Sequence, residues 1–376
     1  MSRARVAAAS GHLLQASYSY PAGRGRAVCR ERVSGTSSAG NESDGSRKQP
    51  VSIREQIAGL EAAVSAQVLG QEETVRHIML GLLANGHVLL ESLPGLAKTR
   101  TVKALSTNLD ARMSRIQFTP DLLPSDITGA EILQQTEQGN QLKFQPGPLF
   151  GNVILADEIN RAPAKVQAAL LEAMEERQIT VAGQTHRMPG LFMVLATQNP
   201  IEQEGTYPLP EAQMDRFLMK LLIDYPKVED ESRVLQLVRS EERNLQSGAA
   251  VEAPEPLAQE AIFAARREVG EVHVSEAIDR YLIDLINASR HPQAYDPDLT
   301  RWLKVGASPR GGISLDRVSR AHAWMAGNDY VTPDDVRAVL HPVLRHRLLL
   351  SYDAVADGVG TDQVIDRLLD KVAIPA

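Results

Sequence analysis

The chain of 376 residues contains one cysteine, Cys29, which rules out an internal disulfide, and no group of Cys and His has zinc-ligand spacing. Both absences point to an intracellular protein without a structural metal, and cytoplasmic is the expected setting. Aromatic residues are equally scarce: 2 Trp, 8 Tyr and 6 Phe must serve the whole chain. Its core is therefore built on Leu, Val, Ile and Ala, as in helical or α/β folds, and a β-sandwich is disfavoured. No apolar run approaches the roughly 18 residues of a membrane span, so no transmembrane segment is expected. What is present, 43% hydrophobic and 23% charged side chains, matches ordinary globular proteins and excludes a wholly disordered or fibrous one. The length exceeds one domain of about 100 to 150 residues, which favours two packed units.

Charge divides unevenly. Residues 1–50 hold nine Ser, six Gly, eight basic and three acidic residues, for a charge of +5. That composition fits a disordered tail, a transit peptide or sequence upstream of the true start; a disordered or spurious extension is the favoured reading. The other 326 residues keep 32 basic and 44 acidic groups, a charge of −12, against binding nucleic acid over the whole surface. A local basic channel stays open.

From Ile53 apolar residues recur at helical spacing (Ile53, Ile57, Leu60, Val64, Val68), with a break at Gly70 and a second helix through Leu83. Short β-rich runs follow at His87–Glu91, Arg115–Phe118, Val153–Ala156, Leu191–Ala196 and Phe217–Ile223, separated by segments long enough for crossovers. The pattern predicts an α/β fold with a parallel five-stranded sheet. Beyond Pro226 amphipathic helices are predicted over Glu229–Leu245, Pro256–Arg267, Val274–Ser289 and Ile313–Met325. The expected division is a sheet domain over 51–227 and an all-helical domain over 228–376.

The first strand runs into Ser92-Leu-Pro94-Gly95-Leu96-Ala97-Lys98-Thr99, a tight loop ahead of a helix. Such a loop offers backbone N–H groups and a helix N-terminus to phosphates, a lysine point charge, and a threonine hydroxyl for a Mg²⁺ shell. An ordinary strand-to-helix turn is the plainer alternative, because Ser92 and Ala97 stand where the strict phosphate-loop pattern has glycines. The third strand ends in Asp157-Glu158, at the carboxyl edge where open parallel sheets bind ligands. Asp157 would order Mg²⁺ and Glu158 would polarise a water, unless the two acids merely cap the helix starting near Ala162. The fourth strand ends in Asn199-Pro200; taken alone the asparagine reads as a turn residue before proline, but at a strand tip beside the acids its amide suits the attacking water or a γ-phosphate.

Ser92–Thr99, Leu155–Arg161, Ala196–Pro200 and Leu209–Phe217 together resemble the MoxR family of AAA+ ATPases. The likeness covers nearly all of residues 51–376 and extends to Phe118–Gly129, Gly147–Gly151 and Pro333–Arg347. It implies a phosphate-loop AAA+ core with a helical lid, ATP and Mg²⁺ as cofactors, and an ATP-hydrolysing enzyme. In that family Ala97 is normal and Ser92 is the departure, bearing on nucleotide affinity. The resemblance also implies that Arg216 is an arginine finger reaching the neighbouring subunit's nucleotide. Arg310 would be the lid's sensor 2 arginine, acting on the nucleotide of its own chain, and Gln71 would lie where the family closes over adenine. Arg161, beside the acids, is left without a role. Thr119–Leu149, with four acids and one lysine, resembles the helix 2 insert, and Gln178–Met188 alternates about an Ala-Gly turn as a hairpin insert ahead of sensor 1. A solvated loop and an edge hairpin are their plainer readings.

The leading expectation is a ring, hexameric by resemblance, that remodels client proteins. The resemblance implies partners with von Willebrand factor A domains and roles in maturing metalloenzymes or other complexes. Two alternatives stand beside it: a DNA-dependent motor, disfavoured by the acidic insert and the uncharged hairpin tip, and a nucleotide-binding scaffold without turnover, motivated by Ser92. No nucleic acid partner is expected.

Overall fold

A computed structural model describes residues 51–93, 96, 98–136, 139–200, 206–247 and 255–374. The extension expected over residues 1–50 lies outside them, as do Pro94, Gly95 and Ala97 of the loop. Helix α1 (Ile53–Gln67) starts at Ser52, whose hydroxyl accepts from the Glu55 N–H while the Glu55 carboxylate accepts the Ser52 N–H. Its Ile57, Leu60 and Val64 stripe is buried, and α2 (Glu72–Leu83) is buried along most of its length. There follow β1 (Val88–Ser92), α3 (Lys98–Asn108), β2 (Met113–Gln117), α4 (Pro124–Thr128), β3 (Gly129–Thr136), β4 (Gly139–Pro146) and β5 (Val153–Asp157). Then come α5 (Ala164–Glu176), β6 (Gln178–Val181), β7 (Gln184–Arg187), β8 (Met193–Gln198), α6 (Glu211–Met214) and β9 (Met219–Ile223).

Five strands form one sheet in the order β2-β5-β8-β1-β9, every neighbouring pair parallel, as the sequence pattern predicts. β5 and β8 are interior strands covered on both faces, so nearly every residue is buried, which is why they read as continuous apolar runs. Leu89, Ile154, Ala156, Val194 and Ala196 face one core with Leu170 and Leu171 of α5 and with Phe192 and Phe217. Val88, Leu90, Val153, Leu155, Met193 and Leu195 face the other, with α1, α2 and α3.

The remainder is helical: α7 (Val228–Ser247), α8 (Gln259–Glu271), α9 (Glu276–Arg290), α10 (Pro297–Trp302), α11 (Pro309–Met325), α12 (Pro333–Leu344), α13 (Tyr352–Ala356) and α14 (Thr361–Lys371), with a short antiparallel pair between Leu303–Val305 and Leu349–Leu350. The second sheet core continues into this layer through α2 to Leu285, Trp324 and Leu340, so packing does not break where the sheet ends. Two predicted helix starts are corrected. Residues 256–258 precede α8, because Leu257 bridges Leu109 beside α3, and α11 begins at Pro309, where the Ser308 hydroxyl caps it.

The segment 119–149 is not a solvated loop. It holds α4 and the hairpin β3–β4, in which Gly129 (φ 91°) lies so close to the partner strand that a Cβ would sit 2.2 Å from the Gln145 carbonyl oxygen. The Gln-rich strands lack the apolar alternation that would have revealed them. The second hairpin, β6–β7, forms where alternation predicts it, and Ala182 (φ 49°) and Gly183 (φ 81°) supply the paired left-handed conformations of its tight turn. His186 of β7 stacks on Phe144 of β4 with centroids 3.8 Å apart, so the two hairpins touch through aromatic rings.

Candidate active site

Parallel strands deliver their carboxyl ends to one edge of the sheet, and that edge collects most of the chemistry expected from the sequence. β1 ends at Ser92 and α3 opens at Lys98, β5 ends at Asp157, and Asn199 follows β8. Because β5 pairs with β8 and β8 with β1, these groups become neighbours although they are far apart in the chain.

The two acids are held by an ordered set of hydrogen bonds. Asp157, 9% exposed, accepts the Thr197 hydroxyl on Oδ1 at 2.8 Å and the Arg115 guanidinium on Oδ2 at 2.7 Å. The Thr197 oxygen also accepts the Glu158 N–H at 2.8 Å. Glu158 has φ 59°, a left-handed conformation that costs a non-glycine residue of order 1–3 kcal/mol, and the bond to Thr197 holds it there. Its Oε2 accepts the Gln117 amide at 2.7 Å and lies 3.3 Å from Arg161 Nε. The sequence-singled acids are thus flanked by two guanidinium groups, which offset their mutual repulsion.

On the loop side, the Lys98 ammonium lies 3.4 Å from the Ser92 carbonyl oxygen. Ser92 belongs to β1, in extended conformation, and is 2% exposed; its hydroxyl finds no partner among the described residues. Thr99 is exposed, Leu96 is half-buried against the core, and Asn199 is buried at the end of β8. Gln71, at the start of α2, donates its amide to the Asp224 carbonyl just beyond β9, on the same edge of the sheet. An ammonium, a helix N-terminus, a buried hydroxyl unpaired among the described residues, an exposed threonine hydroxyl and a carboxylate make a donor set suited to a phosphate chain with a hard, oxygen-seeking divalent cation. The residues present therefore fit Mg²⁺ and a nucleotide.

Arg216 and Arg310 are elsewhere. They line a cavity of about 410 Å³ together with Asn85, Gly86 and His87, which lead into β1, and Leu218, which leads into β9. This is the amino edge of the sheet, and a five-residue strand separates the two edges by about 16 Å. Arg310, which the family resemblance assigns to the nucleotide of its own chain, lies on this amino edge and not beside Lys98: its guanidinium pairs with Glu175, which also lies 3.4 Å from Arg216 Nε. The core and lid arginines share one carboxylate on the face turned away from Lys98.

Sequence reasoning missed the residues that fix this second face. Asp215 accepts Arg347 Nε at 2.9 Å and the Ser308 hydroxyl at 2.7 Å. Arg347, whose side chain is 1% exposed, also donates to the carbonyls of Phe217 and Leu218 and to the Ser314 hydroxyl. Burial lowers its pKa to about 10, against the opposing pull of Asp215. His346 bonds the Phe217 carbonyl and Arg345 the Lys220 carbonyl, so the Arg345-His346-Arg347 segment ties the helical layer to the start of β9. The segment closes the Pro333–Arg347 stretch of the family likeness, which marks it without assigning its side chains a partner. Thr197, Arg115 and Gln117 were missed for a similar reason: they act across strand pairs, Gln117 standing opposite Asp157 in the β2–β5 ladder.

Comparison with known proteins agrees with this geometry. Residues 87–219 match the ATPase family associated with various cellular activities (AAA), and residues 301–368 match the AAA lid domain. The chain is 42% identical over 309 residues to Chaperone MoxR1 of Mycobacterium tuberculosis, covering 82% of this chain and 79% of that protein. It is 35% identical over 330 residues to Protein MoxR of Paracoccus denitrificans, covering 84% and 95%. Among solved structures, a putative ATPase from Cytophaga hutchinsonii superposes with a TM-score of 0.78 at 40% identity, covering 86% of this chain and 96% of that one.

Proposed function

Because the chain belongs to the MoxR family of AAA ATPases and is an ATP-hydrolysing enzyme, we propose that it is a chaperone-like remodeller whose complete active sites form between copies of itself. The observation that carries this reading is the separation of the two half-sites. Acids and phosphate-binding groups occupy the carboxyl edge of the sheet, whereas Arg216 and Arg310 occupy the amino edge. A guanidinium stabilises charge on a transferring phosphoryl group only in contact with it, so these arginines serve the nucleotide of a neighbour.

In this reading Lys98 and the loop hold the phosphates, Thr99 and Asp157 hold Mg²⁺, Glu158 takes the proton of the attacking water, and Asn199 orients that water. Gln71 lies against the base. Mg²⁺, when bound, supplies charge neutralisation at the phosphate oxygens. A ring, hexameric by family resemblance, places Arg216 and Arg310 at each neighbour's site, and the resemblance points to clients or adaptors with von Willebrand factor A domains in metalloenzyme or complex maturation. The hairpins β3–β4 and β6–β7, joined by the Phe144–His186 stack, are the surfaces offered to a client. A division into domains at 227/228 and a cytoplasmic setting belong to the same proposal. The relative from Mycobacterium tuberculosis carries the name chaperone, which supports the remodelling role. No feature of the hairpin turn at Ala182-Gly183 favours a DNA motor, and ATP hydrolysis by the chain is expected not to respond to added DNA.

The test is steady-state ATP hydrolysis per subunit against protein concentration, followed by subunit mixing. The rate is expected to rise with concentration and to collapse in Glu158→Gln. Mixing Arg216→Ala with Glu158→Gln should restore part of the activity, because some interfaces then pair an intact acid half with an intact arginine half. A rate per subunit independent of concentration, with no recovery on mixing, would defeat the shared-site reading.

A further inference from the structure

We propose that Glu175 is an internal stand-in for the terminal phosphate of a neighbour's nucleotide, holding Arg216 and Arg310 until that phosphate replaces it. The inference rests on the reading of those two arginines as groups presented to a second copy of the chain. Glu175 is the penultimate residue of α5, and its two carboxylate oxygens are divided between them: Oε2 lies 3.4 Å from Arg216 Nε, and Oε1 accepts Arg310 Nη2. One arginine comes from the loop before β9 and the other from the first turn of α11, so the carboxylate bridges sheet domain and helical layer.

The charge balance of the cavity shows why this carboxylate is a stand-in and not a permanent partner. Arg177, Arg216, Arg310 and Arg317 line it, against the acids Glu175 and Asp215. Asp215 is committed to Arg347 and Ser308. Glu175 alone is left to answer the arginines, and the cavity keeps an excess of positive charge. A carboxylate oxygen and a phosphate oxygen meet a guanidinium by the same charge-assisted hydrogen bonds. The Glu175 pairs are also open to exchange: Glu175 and Arg216 are each about 31% exposed and Arg310 48%, and ion pairs so exposed are weak. Arg216 keeps a fixed anchor during the exchange, because its Nη1 donates to the Leu171 carbonyl at 2.8 Å independently of Glu175.

The experiment uses inorganic tripolyphosphate as probe, titrated by calorimetry into the full chain carrying Lys98→Ala, which weakens the loop site. Adding Glu175→Gln, which keeps size and removes charge, is expected to tighten tripolyphosphate binding by about three- to tenfold, the range that releasing two weak surface pairs allows. The gain should vanish when Arg310→Ala is also present. In the otherwise unchanged chain, Glu175→Gln should lower by a similar factor the protein concentration at which ATP hydrolysis per subunit is half-maximal. Unchanged or weaker tripolyphosphate binding would overturn the proposal, weaker binding meaning that Glu175 holds the arginines in register. If tripolyphosphate binding tightens as expected while hydrolysis shows neither dependence on protein concentration nor recovery on subunit mixing, Glu175 still masks an anion site on the two arginines, and its assignment to a neighbour's nucleotide falls with the shared-site reading.

Discussion

Thr197→Val tests the arrangement of the acids most directly. The side chain is fully buried, and valine keeps its shape while removing the hydroxyl. Two hydrogen bonds of 2.8 Å are lost together: the one donated to Asp157 Oδ1 and the one accepted from the Glu158 N–H. The first goes to a charged acceptor, worth about 1.5–3 kcal/mol, and the second to a backbone amide, worth about 0.5–1.5 kcal/mol, so the variant should lose roughly 2–4 kcal/mol of stability. A domain with a typical reserve of about 5–15 kcal/mol stays folded after that loss. Glu158 also loses what holds its left-handed backbone, so the general base should drift and the catalytic rate should fall by more than the affinity for ATP. Urea unfolding followed by circular dichroism gives the first quantity, and kcat with KM for ATP gives the second. Thr197→Ser keeps the hydroxyl and should restore most of both. A Thr197→Val protein with parental stability and parental kcat would refute the claim that this hydroxyl organises the two acids.

Two other perturbations follow from buried ionisable groups. His87 accepts the Val194 N–H on Nδ1 and donates Nε2–H to the Met174 carbonyl, and burial, reinforced by Arg177, pushes its pKa from 6.5 down to about 3. The unfolded chain takes up this proton as pH falls through about 6.5 and the folded chain does not, so full stability is present above that pH and on the order of 2 kcal/mol is lost between pH 7.5 and 5. His346, lowered in the same direction by burial, adds to the loss, and urea unfolding of His87→Gln should show a drop smaller by about 2 kcal/mol over that interval. Asp215→Ala leaves Arg347 buried without its counter-ion and should destabilise the chain by about 3–5 kcal/mol, whereas Asp215→Asn, which keeps a hydrogen-bond acceptor, should cost less; equal unfolding midpoints for the two variants would contradict the pairing.

The sequence alone determined the elements whose physics is local. Buried parallel strands must be apolar throughout, so β1, β5 and β8 are visible as runs, and the candidate residues near their ends are visible because Lys98-Thr99, Asp157-Glu158 and Asn199 interrupt apolar sequence with polar groups. The β6–β7 hairpin was legible from strict alternation about Ala182-Gly183, whereas β3–β4 was not, since glutamines on both faces erase the period on which a strand is read. Tertiary structure decided which groups meet. Arg115 and Gln117 reach the acids only because β2 pairs with β5, and Thr197 because β8 lies beside it. Arg310 carries the same local signal, a capped helix start, whichever edge of the sheet it serves. Its side was settled by the packing of the helical layer on the sheet, with Arg347 buried against Asp215 and Ser308 bonded to the same carboxylate. Periodicity and turn chemistry act over a few residues, but electrostatic partners are chosen by proximity in space, and proximity exists only once the sheet order and the lid contact are formed.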